Sequence, residues 1–273
     1  MFKKLLANVR LTAPLIHSIT NYVTANDCAN MLLACGARPI MADDILEVED
    51  ITSISAGLNI NLGTLNQRTI PAMTAAGKRA NALGHPVVFD PVGAGASTFR
   101  TETARNLLRT IDFSVIRGNL SEIKTLANGF GSTKGVDADA ADTITSKSLH
   151  ELVAFAKGFA KKTDAVIAIT GAIDIVANES RAFCVFNGHP MMRLVTGTGC
   201  QLSALVAAFA AANPGNPLEA AAAATCAMGI CAETAFSRMS ALDGNAAYRG
   251  YLIDAMHNLT PESLEKGAKY DVR

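Results

Sequence analysis

The sequence predicts an α/β protein of three layers, with a mostly parallel central sheet covered by helices on both faces and an antiparallel hairpin at its edge. Three observations predict it. Short runs rich in Val and Ile, such as 87–89 and 165–169, are apolar throughout rather than alternating, as expected of strands buried on both faces. Helix-like stretches separate them, which makes successive strands parallel. Two further apolar runs, 173–177 and 181–186, are joined only by Asn178-Glu179-Ser180, a polar turn, and read as an antiparallel hairpin.

In chain order, strands are expected at residues 58–62, 87–89, 113–116 and 165–169, with helices at 67–83, 101–108 and 149–161 between them. After Cys200 the chain turns strongly helical. Residues 202–212 and 218–239 are Ala-rich and are separated by a break at 213–217, where Asn213-Pro214-Gly215 stops the first. Small side chains let these helices approach the sheet or each other closely. No linker, charge block or long-period repeat divides the chain, so one domain is expected over residues 1–273.

With 49% hydrophobic and only 18% charged residues, the chain can bury a sizeable core. Lys plus Arg and Asp plus Glu both number 24, which excludes the basic surplus of a nucleic-acid binder. A chain with no net charge is expected to hide surface in an oligomer. The six cysteines form no C-x-x-C pair, so zinc and dithiol motifs are unsupported and reduced thiols in the cytoplasm are expected. The opening MFKKLLANVR lacks an apolar run of signal-peptide length, and the apolar stretch 204–212 is too short to span a bilayer. No membrane partner is expected.

Ligands of doubly wound sheets bind beyond the carboxyl ends of the strands, so the polar residues after each strand matter most. Asp90 follows the second predicted strand, Arg117, Asn119 and Glu122 follow the third, and Thr170-Gly171 follows the fourth. All should share one rim. Taken singly, Asp90-Pro91 also reads as a turn, and Asn119 or Ser121 as a helix cap. The strongest local feature is Val195-Thr196-Gly197-Thr198-Gly199-Cys200-Gln201, leading into an Ala-rich helix. Glycines before a helix expose free N–H groups at its positive end, which suits a phosphate. It is neither a Walker loop nor a dinucleotide fingerprint, and Gly93-Ala94-Gly95 reads as a flexible loop. A phosphoryl donor needs N–H donors, one or two carboxylates for Mg²⁺ and a cation. The glycine turn, Asp90 with Glu122, and Arg117 can supply these.

Together these residues resemble a known family. Asn119-Leu120-Ser121-Glu122 is similar to the N-x-x-E motif of ribokinase-like kinases, and Gly197-Thr198-Gly199-Cys200 to their anion hole. Pro14-Leu15-Ile16-His17-Ser18-Ile19-Thr20-Asn21, Cys35-Gly36-Ala37-Arg38-Pro39-Ile40-Met41, Asp90-Pro91-Val92-Gly93-Ala94 and Arg117-Gly118-Asn119 resemble the hydroxyethylthiazole kinase family over nearly the whole chain. The resemblance implies a ribokinase-like fold and transfer of the γ-phosphate of ATP to a thiazole alcohol. It implies that Arg117 and Thr170 contact ATP, that Asp90 and Glu122 serve Mg²⁺, and that Asn21, Met41 and Gly197 contact the alcohol. It also implies a homotrimer with each thiazole pocket at a subunit boundary. Rival readings are a ribokinase-like kinase for another alcohol such as hydroxymethylpyrimidine, a nucleotide-dependent lyase, and a nucleotide sensor.

Cys200 stands where most ribokinase-like enzymes have the Asp that acts as base. Two readings stay open: a thiol whose pKa is lowered at a helix N-terminus accepts the proton late, or the side chain only fills the pocket beside the hydroxyl. His17 is a candidate for the pocket wall only. Asp43-Asp44 and residues 47–50 read as a solvated acidic loop.

Overall fold

A computed structural model describes residues 1–128 and 146–273. The strands are β1 (Leu15–Ile19), β2 (Arg38–Ile40), β3 (Gly57–Asn61), β4 (Val87–Asp90), β5 (Val115–Asn119), β6 (Val166–Thr170), β7 (Asp174–Ala177), β8 (Ala182–Val185) and β9 (Tyr270–Val272). They form one sheet in the order β2-β1-β3-β4-β5-β6-β7-β8-β9. β2 through β6 are parallel, and β7, β8 and β9 each pair antiparallel with the strand before them in the sheet. The expected hairpin is β7–β8. Its turn is closed by Asn178, whose side chain accepts from the N–H groups of Ser180 and Arg181. β9 extends the antiparallel edge by one strand beyond it.

The helices are α1 (Phe2–Thr12), α2 (Ala25–Cys35), α3 (Val48–Ile54), α4 (Thr69–Ala82), α5 (Thr98–Thr110), α6 (Leu120–Ala127), α7 (Ser146–Thr163), α8 (Thr198–Ala212), α9 (Pro217–Ser237), α10 (Asn245–Asn258) and α11 (Pro261–Gly267). Two cores lie on the two faces of the sheet. One joins α1, α2, α8, α9, α10 and α11 to Val88, Val115, Val166 and Ala168; the other joins α4 to α7 to Val87, Phe89, Ile116, Ile167 and Ile169. Neighbouring strand residues thus alternate between two dry faces, which is why these runs carry no polar alternation.

The chain steps from β1 to β2 in one direction and then back across β1 to β3. The crevice at the carboxyl ends of β1 and β3 is the topological switch point of this sheet. Opposite it, α8 packs across β1, β3 and β4 on one face. Its stripe of alanines permits that close approach: a Cβ at Gly57 in β3 would lie 3.2 Å from Ala211 Cβ. α9, 21 residues long, is apolar enough in length and composition to cross a membrane. It is a core helix here, 72% of that window being buried in the protein.

Candidate active site

The site is assembled at the strand ends, but most of its residues lie within the elements rather than after them. β5 runs on through Arg117, Gly118 and Asn119, and α8 begins at Thr198, so Gly199 and Cys200 already belong to its first turn. In the sheet, Asn61 lies beside Asp90 and Asn119 beside Thr170.

Asp90 is wholly buried at the end of β4. Its Oδ2 accepts from Asn61 Nδ2 at 2.8 Å, from Ser203 Oγ at 2.8 Å and from Arg117 Nη1 at 3.4 Å. Its Oδ1 is buried and has no partner. Burial pushes the carboxyl upward, while Arg117, Ser203 and Asn61 pull it back. Stripping an ion of water costs several kcal/mol, and hydrogen bonds to charge return about 1.5–3 kcal/mol each. The donors on Oδ2 therefore offset much of the cost.

Arg117 is equally well held. Nη2 donates to Thr170 Oγ1 at 2.7 Å, and the guanidinium lies against the first turn of α8. A Cβ at Gly199 would sit 2.5 Å from Nη1, so only glycine permits this contact. α8 has no side-chain N-cap, and Gly197 at that position has φ +86° with its α-carbon against Thr24. Four N–H groups at a helix start have no intrahelical partner. A cation and an uncapped positive helix end thus sit side by side, a pairing that calls for an anion.

Cys200, 9% exposed, receives Asn21 Nδ2 at 3.4 Å. Asn21 Nδ2 also donates to Asn61 Oδ1 at 2.9 Å, and Asn21 Oδ1 accepts from the Thr24 N–H. The structure corrects the expectation of a lowered thiol pKa: burial, then the nearby Asp90 charge, push Cys200 upward against the pull of Asn61, Thr24 and Arg117.

Asn119 and Glu122 form a capping box: Asn119 Oδ1 accepts from the Glu122 N–H and Glu122 Oε2 from the Asn119 N–H, each at 2.9 Å. Glu122 Oε1 accepts from the Gly93 N–H at 2.9 Å. Each carboxylate oxygen therefore already receives one backbone donor, and Glu122 ties the loop after Asp90 to the start of α6.

Two cavities flank this network. One, of about 580 Å³, is lined by Arg117, Asn119, Thr170, Thr198 and Gly199 at its polar end and by Phe186, Met228 and Gly229 further out. The other, about 320 Å³, is lined by Met41, Met73, Tyr22, Thr20, Gly63 and Asp43. The structure brings Asp90, Arg117, Thr170, Cys200, Asn21 and Gly197–Cys200 together, and places Met41 in the second cavity. The side chain of Asn21 is spent on its neighbours. His17 is not a pocket wall: its ring joins Thr52 Oγ1 and the Ala42 carbonyl, each at 2.9 Å, and braces the segment beside Met41. The acidic stretch is not all loop, since α3 begins at Val48, which is buried. Asn61 and Ser203 escaped sequence reasoning. Neither stood out locally: Asn61 ends a buried strand that already carries Asn59, and Ser203 follows Gln201 in the first turns of α8.

A switch-point crevice with Arg117 beside an uncapped helix end, a buried carboxylate and a second cavity across from them is the arrangement expected of a ribokinase-like small-molecule kinase, and comparison with known proteins places the chain among them. The sequence profile of the hydroxyethylthiazole kinase family matches residues 6–262. The hydroxyethylthiazole kinase of Clostridium acetobutylicum is 62% identical over 271 residues, covering 99% of each chain. The structure named as the hydroxyethylthiazole kinase protein of Pyrococcus horikoshii superposes with a TM-score of 0.88 at 34% identity, covering 100% of this chain and 98% of that one. The chain belongs to the hydroxyethylthiazole kinase family. The pyridoxal kinase of Staphylococcus aureus, at a TM-score of 0.59 and 14% identity over 95% and 98% of the two chains, shares the fold alone.

Proposed function

We propose that this protein transfers the γ-phosphate of ATP to the hydroxyl of 4-methyl-5-(2-hydroxyethyl)thiazole, yielding the thiazole phosphate used in thiamine biosynthesis or salvage, and ADP. The observation that carries the phosphate side is Arg117 lying against the uncapped first turn of α8. Family membership supports the choice of alcohol.

ATP occupies the larger cavity, its phosphates at the Arg117, Thr170 and Gly197–Cys200 end. Arg117 and the N–H groups of the α8 start receive the charge that builds on the transferred group. The alcohol enters from the Met41 cavity, with Gly197 and Asn21 shaping the floor between the two. Its oxygen bonds to the γ-phosphorus as the bond to the ADP oxygen breaks, and that electron pair leaves with ADP. In a loose transition state the hydroxyl needs little base assistance early. Its proton leaves late, to an oxygen of the transferred phosphoryl group, while the Cys200 thiol walls the space beside it.

The residues fit Mg²⁺. Asp90 Oδ1 is a buried carboxylate oxygen with no partner, and Glu122 lies close enough to raise the Asp90 pKa. Asp90 would hold the ion, and Glu122 would reach it through the lone pairs its backbone bonds leave. Bound there, Mg²⁺ neutralises phosphate charge.

The protein works in the cytoplasm as a homotrimer. Tyr22, at the mouth of the Met41 cavity, is 82% exposed and Leu46 is 90% exposed, and a neighbouring subunit would cover such residues and close the cavity. The test is incubation with ATP and Mg²⁺ plus either the thiazole alcohol or hydroxymethylpyrimidine, read by ³¹P NMR, with sedimentation for the assembly. A phosphate ester of the thiazole alone supports the reading. Its absence sinks the substrate assignment, and a monomer sinks the trimer.

A further inference from the structure

The geometry points to Asn61 and Ser203 as positioning residues for phosphoryl transfer, which load Oδ2 of Asp90 with donors and so reserve Oδ1 for the cation. The inference rests on the reading of Asp90 as the metal-side carboxylate and adds to it how that carboxylate is aimed.

Asn61 comes from the end of β3, Ser203 from the second turn of α8 and Arg117 from β5, and all three converge on the same oxygen. The other oxygen is equally buried and bare. A freely turning carboxylate would share its donors between both oxygens; this one is fixed about its terminal bond. The choice made by Ser203 is telling. A helix serine commonly returns its hydroxyl to the carbonyl four residues earlier. Here that contact, to the Gly199 carbonyl, is the longer at 3.3 Å, and the single proton goes to the Asp90 carboxyl oxygen at 2.8 Å.

Both residues also couple Asp90 to the rest of the site. Ser203 sits on the helix whose first turn makes the anion site. Asn61 passes the connection on through Asn21 to Cys200 and Thr24, on the alcohol side. Arg117 cannot do this alone, since it has the longest of the three contacts and also serves Thr170.

The test uses full-length Ser203→Ala, Ser203→Thr, Asn61→Leu and Asp90→Asn proteins whose folding is checked by thermal melting. Mn²⁺ binding in the presence of a non-hydrolysable ATP analogue is followed by electron paramagnetic resonance, alongside kcat and KM. Ser203→Ala should weaken Mn²⁺ binding by about tenfold or more and lower kcat by a similar factor, with KM for the alcohol little changed. Asn61→Leu should act in the same direction, and Ser203→Thr should restore binding. Unchanged Mn²⁺ affinity in folded Ser203→Ala overturns the inference, as does failure of Ser203→Thr to restore it. If Asn61→Leu does not fold, the Ala and Thr pair at 203 decides. Asp90→Asn separates the two levels. If it abolishes Mn²⁺ binding while Ser203→Ala does not weaken it, only the positioning role fails. If it leaves Mn²⁺ binding intact, the underlying assignment of Asp90 fails.

Discussion

The two cavities that flank the network around Asp90 and Cys200 are built in opposite ways. Beside the cavity proposed for the nucleotide, Arg117 and Thr170 come from neighbouring strands and hold each other. Thr170 is fixed by Arg117, and Arg117 is fixed by Asp90 and by the glycine at 199. On the alcohol side Met41 is 37% exposed, Tyr22 lies almost free, and the polar wall includes Asp43, whose ion pair with Arg68 is exposed. A phosphate needs rigid donors in place before it arrives, because their value depends on not having to reorganise. A small apolar ring needs shape, which a second subunit can supply.

That contrast can be broken from either side. Arg117→Ala should have the largest effect, lowering kcat/KM for ATP by about 10³-fold, and binding of the thiazole alcohol measured without nucleotide should not follow it. Gly199→Ala forces a Cβ onto the guanidinium. A loss on the order of 10²-fold is expected, seen mainly with ATP as the varied substrate. Met41→Ala is the mirror experiment: KM for the alcohol should rise about tenfold with KM for ATP unmoved. A rise in both would mean that the two cavities are not separately built.

Cys200→Ala should cost less still, within about tenfold in kcat, because a buried thiol pushed upward is poorly suited to the general-base role whose loss costs 10²-fold or more. The rate–pH profile should keep its shape. Smallest is a stability effect at the edge of the nucleotide cavity. Asp174, which caps the Gly171 N–H at 2.9 Å, is pushed up to about 6 by burial, against the pull of Gly171 and Arg117. Its folded pKa exceeds its unfolded one, so the folded state binds the proton more tightly and loses that advantage as pH rises from about 4 to about 6. Asp174→Asn should therefore gain up to ~2 kcal/mol on the wild type over that range and hold the gain above it, as urea melts at pH 4 and pH 7 would report.

Much of this was legible where burial on both faces leaves a strand apolar throughout. The runs at 87–89 and 165–169 were found for that reason, and the rim followed from them. β1 was harder to read, because His17 and Ser18 interrupt its apolar residues and are buried only by virtue of partners far along the chain. β2 and β9, of three residues each, are too short for a pattern. Within the site the obstacle was function itself. Arg117 and Asn119 lie in β5, yet their polarity made the strand look finished at 116. Cys200 lies in α8, but its glycine neighbours made the helix look as if it began at 202. The pairings of Asn61 and Ser203 with Asp90 span 29 and 113 residues, and no local rule reaches that far.

The long buried helix α9 carries a consequence for how the chain is made. Its cover is contributed by α1 and α8, which leave the ribosome earlier, and by α10 and α11, which leave later. Until those last two helices emerge, the nascent chain presents a segment with the length and greasiness of a membrane anchor. The C-terminal segment is thus its shield. A chain released early, before α10, would lack that cover and become a client for chaperones or a seed for aggregates, with the phosphate site upstream otherwise fully encoded.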